Sequence, residues 1–193
     1  IVKKGIKSKD PILDINFLSE IPREIGQLQN LKKIIIGEGS SDYQLWPISN
    51  CEELAKLKKL EEVDLSYNSI SDINFIKKLK NIKFLNLEGN EIQDISPLKS
   101  LHNLQELNLS YNVIIIEFSS LKKLEKLQIL RLYGNNISDL SFLENLKDLT
   151  HLSLMENKIL EIEFISKLKN LVTLFLTGNS IFNIKPLIHL ENV

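Results

Sequence analysis

Four side chains could begin a chemical mechanism: the histidines His102, His151 and His189, and the single cysteine Cys51. Imidazole and thiolate serve as base, nucleophile or metal ligand only with partners in hydrogen-bond or coordination reach. The histidines are spread along the chain without ligand spacing, no His lies near Cys51 in sequence, and one cysteine cannot close an intramolecular disulfide. Cys51 stands near the start of a predicted helix, where a thiol pKa can fall, but the bland reading as a buried structural residue is the expected one. No carboxylate cluster compensates. The sequence therefore predicts no catalytic residue, no cofactor and no metal site, and leaves recognition as the remaining chemistry. Aromatic, Met and Arg side chains do that work in interface cores.

The bulk composition narrows the partners. Of 193 residues, 43% are hydrophobic and 25% charged, which excludes a disordered chain. The formal charge of −1, from 24 basic and 25 acidic residues, supplies no global field for phosphate backbones, so no nucleic-acid partner is expected. Apolar runs such as Val113 to Ile116 fall far short of the roughly 18 to 20 residues of a membrane span. Lysine runs such as Lys56-Leu57-Lys58-Lys59, Lys77-Lys78 and Lys122-Lys123 alternate with Glu and read as a solvated back face. The chain opens on Ile1, so secreted, cell-surface and cytoplasmic settings all stay open, as does the oligomeric state.

The 35 Leu, 27 Ile and 19 Asn call for a repeat search. Asn68, Asn90, Asn112, Asn135, Asn157 and Asn179 are separated by 22, 22, 23, 22 and 22 residues. Apolar residues precede each at fixed offsets, as in Leu60-x-x-Val63-x-Leu65-x-x-Asn68-x-Ile70. The alternation before each Asn has the period of a half-buried strand. The Asn amide can satisfy backbone groups of adjoining turns. Segments such as Ile70 to Leu79 then space apolar residues by three, predicting a short helical or 3₁₀ return. Leu13-x-x-Asn16-x-Leu18 and Leu31-x-x-Ile34-x-Ile36-x-x-Gly39 fit earlier, less exact copies. About seven extra residues fall between Gly39 and Leu60, in a stretch holding Tyr43, Trp46 and Cys51, with Ser49-x-x-Glu52 as a capping box for a helix from about Asn50 to Lys58.

The pattern L-x-x-L-x-L-x-x-N-x-L, in six consecutive copies from Leu60 to Ile181, resembles the leucine-rich repeat. Tails such as Ile70-Ser71-Asp72-Ile73 and Ile137-Ser138-Asp139-Leu140 look like the 22-residue type of bacterial internalins and of the leucine-rich regulatory subunit of protein phosphatase 1. Leu18 to Leu28 resembles the 23-residue type with its Ile-Pro pair. Glu161 and Asn183 replace the tail Asp in two copies, and the Asn112 copy carries an added residue. The resemblance implies an α/β repeat fold over residues 1–193: a solenoid of about eight copies, with a parallel concave sheet and short helical or 3₁₀ returns on the convex side. Leu187, Leu190 and Val193 keep the phase of a further copy, so the solenoid is expected to continue beyond the C-terminus.

Stacking aligns equivalent residues in columns. Before the second core position stand Phe84, Glu106, Ile129, His151 and Thr173, and after it Asn108, Arg131, Ser153 and Phe175. Beyond the strand come Glu88, Ser110, Tyr133 and Met155, then Tyr67, Gly89, Tyr111, Gly134, Glu156 and Gly178. One half is acidic, with Asp64 and Glu88; the other is apolar and basic. The expected contact patch comprises Phe84, Ile129, Arg131, Tyr133, His151, Met155 and Phe175, flanked by Tyr67 and Tyr111. The resemblance implies a noncatalytic module that binds a protein ligand on the concave face. The alternatives are the substrate-targeting portion of a larger enzyme or effector, and a cytoplasmic regulatory subunit.

Overall fold

The computed structural model describes residues 12–14, 20–37, 47–112, 114 and 118–190. Eight three-residue strands follow one another in a single parallel sheet: β1 (Ile12–Asp14), β2 (Lys33–Ile35), β3 (Glu62–Asp64), β4 (Phe84–Asn86), β5 (Glu106–Asn108), β6 (Ile129–Arg131), β7 (His151–Ser153) and β8 (Thr173–Phe175). Spatial order equals chain order, as required when each copy packs only on its neighbours. Every strand returns through a 3₁₀ helix; Asn74–Lys78, Ser96–Ser100 and Ser141–Asn145 are typical. Returns of five residues are too short to repay nucleation of an isolated α-helix, and the tighter turn closes over them. Leu57, Leu79, Leu101, Leu146 and Leu168 end such returns, each N–H donating to the carbonyl three residues back while the side chain is buried.

The central residue of each strand faces the core: Ile34, Val63, Leu85, Leu107, Leu130 and Leu152 form one register row and are all buried. The Asn column closes the turns as its chemistry requires. Asn90 Nδ2 donates to Leu65 O at 2.9 Å and Leu87 O at 3.1 Å, and its Oδ1 accepts from Ile70 N at 3.0 Å. Asp72, Asp94 and Asp139 each accept from the backbone N–H two residues on, opening the next return with an Asx turn. For Asp139 the side-chain and backbone hydrogen bonds from Ser141 hold the carboxyl below its usual range.

Two sequence expectations are corrected and a third is narrowed. First, β1 places Leu13 opposite Ile34, the second core position; the copy written around Asn16 put it at the third. The buried Ile21 and Ile25, around the return Arg23–Gln27, fix that copy's phase two residues away. Asn16 itself, with Gly39, Tyr43 and Trp46, lies outside the described residues. Second, the helix expected from Asn50 to Lys58 is a 3₁₀ helix, Glu52–Lys56, with no side-chain cap bond from its N-cap residue Cys51. Asn50 Oδ1 accepts from Glu52 N instead, as the Asp residues do in other copies, because a short Asx side chain reaches that N–H directly. Third, the extra residues precede Ile48. Its N–H donates to Asn68 Oδ1 at 2.9 Å, the bond Ile70 makes to Asn90, so from Ile48 onward the copy is regular. Cys51 thereby takes the core place of Ile73 and is buried, and burial pushes its thiol up to about 12, which disfavours the thiolate.

The Asn135 turn departs from the others. Asn135 is buried, yet its Oδ1 has no partner, and among the described residues its Nδ2 bonds only Leu109 O and Tyr133 O. In the last described copy Ile184 is 69% exposed, where its equivalent Ile162 is fully buried.

Candidate functional site

The concave face is assembled by the strands and by the turn that follows each. Parallel pairing places Ile129 between Glu106 and His151, and Arg131 between Asn108 and Ser153, with Phe175 one strand beyond. Phe84 lies one strand on the other side of Glu106, so it is not contiguous with Ile129. Arg131 is exposed but paired, its Nη1 bonded to Glu106 Oε1 on the adjacent strand. Thr150 Oγ1 lies 2.9 Å from His151 Nδ1.

Beyond the strands the turn residues form a second strip. Tyr111 and Tyr133 meet edge to face with ring centroids 4.5 Å apart, and Met155 continues the column of Tyr133. Hydrogen bonding to Tyr111 and then to Glu156 raises the Tyr133 hydroxyl above the usual phenol range. The structure thus gathers Tyr111, Tyr133 and Met155 on the turn strip and pairs Ile129 with His151 at the start of β6 and β7, with Arg131 and Ser153 between the two groups. Phe175 lies one strand beyond Ser153, while Tyr67 and Phe84 stand apart on the N-terminal half.

That other half is a polar network the column reading did not single out. Tyr67 Oη donates to Glu88 Oε1 at 2.6 Å, Asn108 Nδ2 donates to Glu88 Oε2 at 2.6 Å, and Asn86 Nδ2 donates to Asp64 Oδ2 at 3.1 Å. The bond to Glu88 carries the Tyr67 hydroxyl up to about 12. Sidelong spacing of 20 to 22 residues between these partners, one copy apart, was the available signal.

The turn column holds a further device. Tyr67 (φ 53°), Tyr111 (53°) and Glu156 (48°) adopt the left-handed conformation and alternate with Gly89, Gly134 and Gly178, which share it. Each non-glycine side chain lies across the glycine of the following copy: a Cβ at Gly89 would stand 2.6 Å from Tyr67 Cδ1. Side chains other than Gly, Asn and Asp seldom take this conformation, and such strain gathers at functional sites. Gly89→Ala is expected to destabilise by about 1 to 3 kcal/mol, from left-handed strain plus displacement of the Tyr67 ring. A chemical denaturation curve unchanged from the parent would contradict the interlock.

Comparison with known proteins gives a consistent answer. A family model described as leucine-rich repeats in two copies matches residues 58–100, 80–123, 102–145 and 125–167. The crystal structure of internalin C2 from Listeria monocytogenes is similar at 34% identity, over 91% of this chain and 74% of that one, with a TM-score of 0.84. A leucine-rich repeat protein of Leptospira interrogans aligns at 28% identity over 91% of this chain and 45% of that one, TM-score 0.80. The structure of PEPR1 with AtPEP1 aligns at 26% identity over 87% of this chain and 25% of that one, TM-score 0.68. No curated protein sequence matches the chain. Among the described residues no helix is long and apolar enough to cross a membrane.

Proposed function

Because the chain belongs to the leucine-rich repeat family, whose fold is typical of protein recognition modules, we propose that it is a noncatalytic module gripping a protein ligand on its concave face. The observation that carries this reading is the edge-to-face pair of Tyr111 and Tyr133 on the turn strip, with Met155 in the next copy and Ile129 paired to His151 on the sheet. Aromatic and Met side chains there are held on a backbone fixed by the Asn column, so little freedom remains to be lost on binding. The sheet face alone, roughly 34 Å by 12 to 15 Å for eight strands, offers about 400 to 500 Å², below the roughly 800 Å² each partner gives to a standard interface. The turn strip supplies the rest of the contact.

The test is a pull-down from host and source-cell fractions with the parent and a variant carrying Ile129, Tyr133, Met155 and Phe175 all changed to Ala, both shown folded by circular dichroism. A partner held by the parent and lost by the variant is the expected result. Retention of the same partner by both would overturn the concave-face reading.

A further inference from the structure

Charge is sorted across the solenoid in a way the neutral total conceals. The edge where the strands begin is basic from Lys32 to Lys126, where Asp148 takes the next place, and the edge where the turns leave the sheet carries the exposed carboxylates Asp72, Glu91, Asp139, Glu156 and Glu161, with Lys158 among them. On the basic edge two rows run from copy to copy. One is Lys32, Glu61, Lys83 and Gln105, each N–H after the first donating to the carbonyl before it at 2.7 to 2.8 Å. The other, two residues earlier in each copy, is Lys59, Asn81, Asn103 and Lys126. Together they enclose an open groove of about 540 Å³.

Its cations are set in place by the groove's own side chains. Lys59 Nζ donates to Asn30 Oδ1 at 2.8 Å and Lys126 Nζ to Asn103 Oδ1 at 3.0 Å. The Asn ladder is in turn anchored: Asn81 Nδ2 donates to Lys58 O at 2.9 Å and Asn103 Nδ2 to Lys80 O at 3.2 Å. Lys32 and Lys83 hold Glu61 between them at 3.0 and 2.7 Å. Four ammonium groups therefore face one carboxylate, and each ammonium keeps donors to spare.

We propose that this groove binds a short acidic segment of a protein partner, laid along the upstream edge of the sheet. The excess of positive charge selects for carboxylates. Glu61, in the middle of the groove, selects against a continuous polyanion: a phosphate or sulfate chain sets negative charge beside it and has no N–H to offer. A peptide backbone presents N–H groups to Glu61 and carbonyls to the amide of Gln105 while its own Asp and Glu side chains meet the lysines. The copies are stacked at about 4.8 Å, so Lys59 to Lys126 spans about 14 Å, the length of four to five extended residues. The surface is separate from the concave face, and the inference stands whether or not that face binds.

The experiment is fluorescence anisotropy with a labelled, end-blocked hexapeptide of alternating aspartate and glutamate, against its asparagine–glutamine counterpart and inorganic polyphosphate. Salt is about 0.1 M, where exposed charges still act over about 10 Å. The acidic peptide is expected to bind, with the amide peptide and polyphosphate at least tenfold weaker. The variant Lys32→Gln, Lys83→Gln, Lys126→Gln should lose about tenfold or more. The equal-charge control Lys122→Gln, Lys123→Gln, Lys158→Gln, away from the groove, should bind as the parent does. Absence of peptide binding, equal loss in both triple variants, or tighter binding of polyphosphate each overturns the proposal. So does a molecular mass by light scattering that doubles with concentration in the parent alone, which would seat a second copy's acidic edge in the groove.

Discussion

Leu130→Asp is expected to unfold the chain or lower its stability by more than about 4 kcal/mol. Leu130 is fully buried at the centre of β6, between Leu107 and Leu152 of the adjoining strands. Removing it forfeits about 1.5 to 3 kcal/mol of apolar burial, and the carboxylate then meets no cation in the core, a further penalty of several kcal/mol. Domains hold about 5 to 15 kcal/mol in all. The control is one residue away: Arg131 is exposed, so Arg131→Asp exchanges its surface pair with Glu106 for a solvent-screened repulsion and should cost about 1 kcal/mol. Chemical denaturation of both variants checks the register, because a slip of one residue exchanges their effects. Parental stability of the Leu130 variant would mean that the strand faces are assigned the wrong way round.

The second large effect separates two asparagines that look alike in sequence. Asn157 Nδ2 donates to Leu132 O, Leu154 O and Met155 O at 2.9 to 3.0 Å, and its Oδ1 accepts from Asn135 N at 3.1 Å and Ile137 N at 2.8 Å. Asn157→Ala leaves those groups unpaired at a buried turn and should cost about 2 to 4 kcal/mol, since each orphaned group carries about 1 to 3 kcal/mol. Among the described residues the Asn135 side chain makes two bonds, and it already buries an unpartnered Oδ1, so Asn135→Ala should cost at least about 1 kcal/mol less. Midpoints and slopes from urea titration decide it. Equal losses would show that the Asn135 oxygen is satisfied in solution.

The contrast marks where the sequence speaks for itself. Burial is written in spacing: a Leu or Ile every two or three residues, with an Asn every 22 or 23, requires stacked strands and tight returns. The exposed columns are equally legible, which is why Ile129, His151, Tyr133 and Met155 could be aligned before any coordinates. What spacing does not carry is the identity of each neighbour's neighbour. Cys51 reads as a buried residue at a helix start, but that it takes the core place of Ile73 shows only once Ile48 is seen to complete the Asn68 turn. Arg131 reads as a free cation until Glu106, 25 residues back, is seen to hold it. The lysine runs read as scattered among acids because chain order alternates between two edges of the solenoid, and only the fold sorts them.

The alternation of Tyr67, Gly89, Tyr111, Gly134, Glu156 and Gly178 bears on how such a chain can change length. Losing or gaining one copy would set two bulky left-handed residues, or two glycines, against each other at the new junction. Tyr67 would then rest on the Cβ of Tyr111, at a position where Gly89 leaves 2.6 Å. Removing or duplicating two adjacent copies restores every ring to a glycine. The strands and the Asn ladder repeat with every copy, but these turns repeat with every second one, so the unit that can be added or removed here without a clash is a pair.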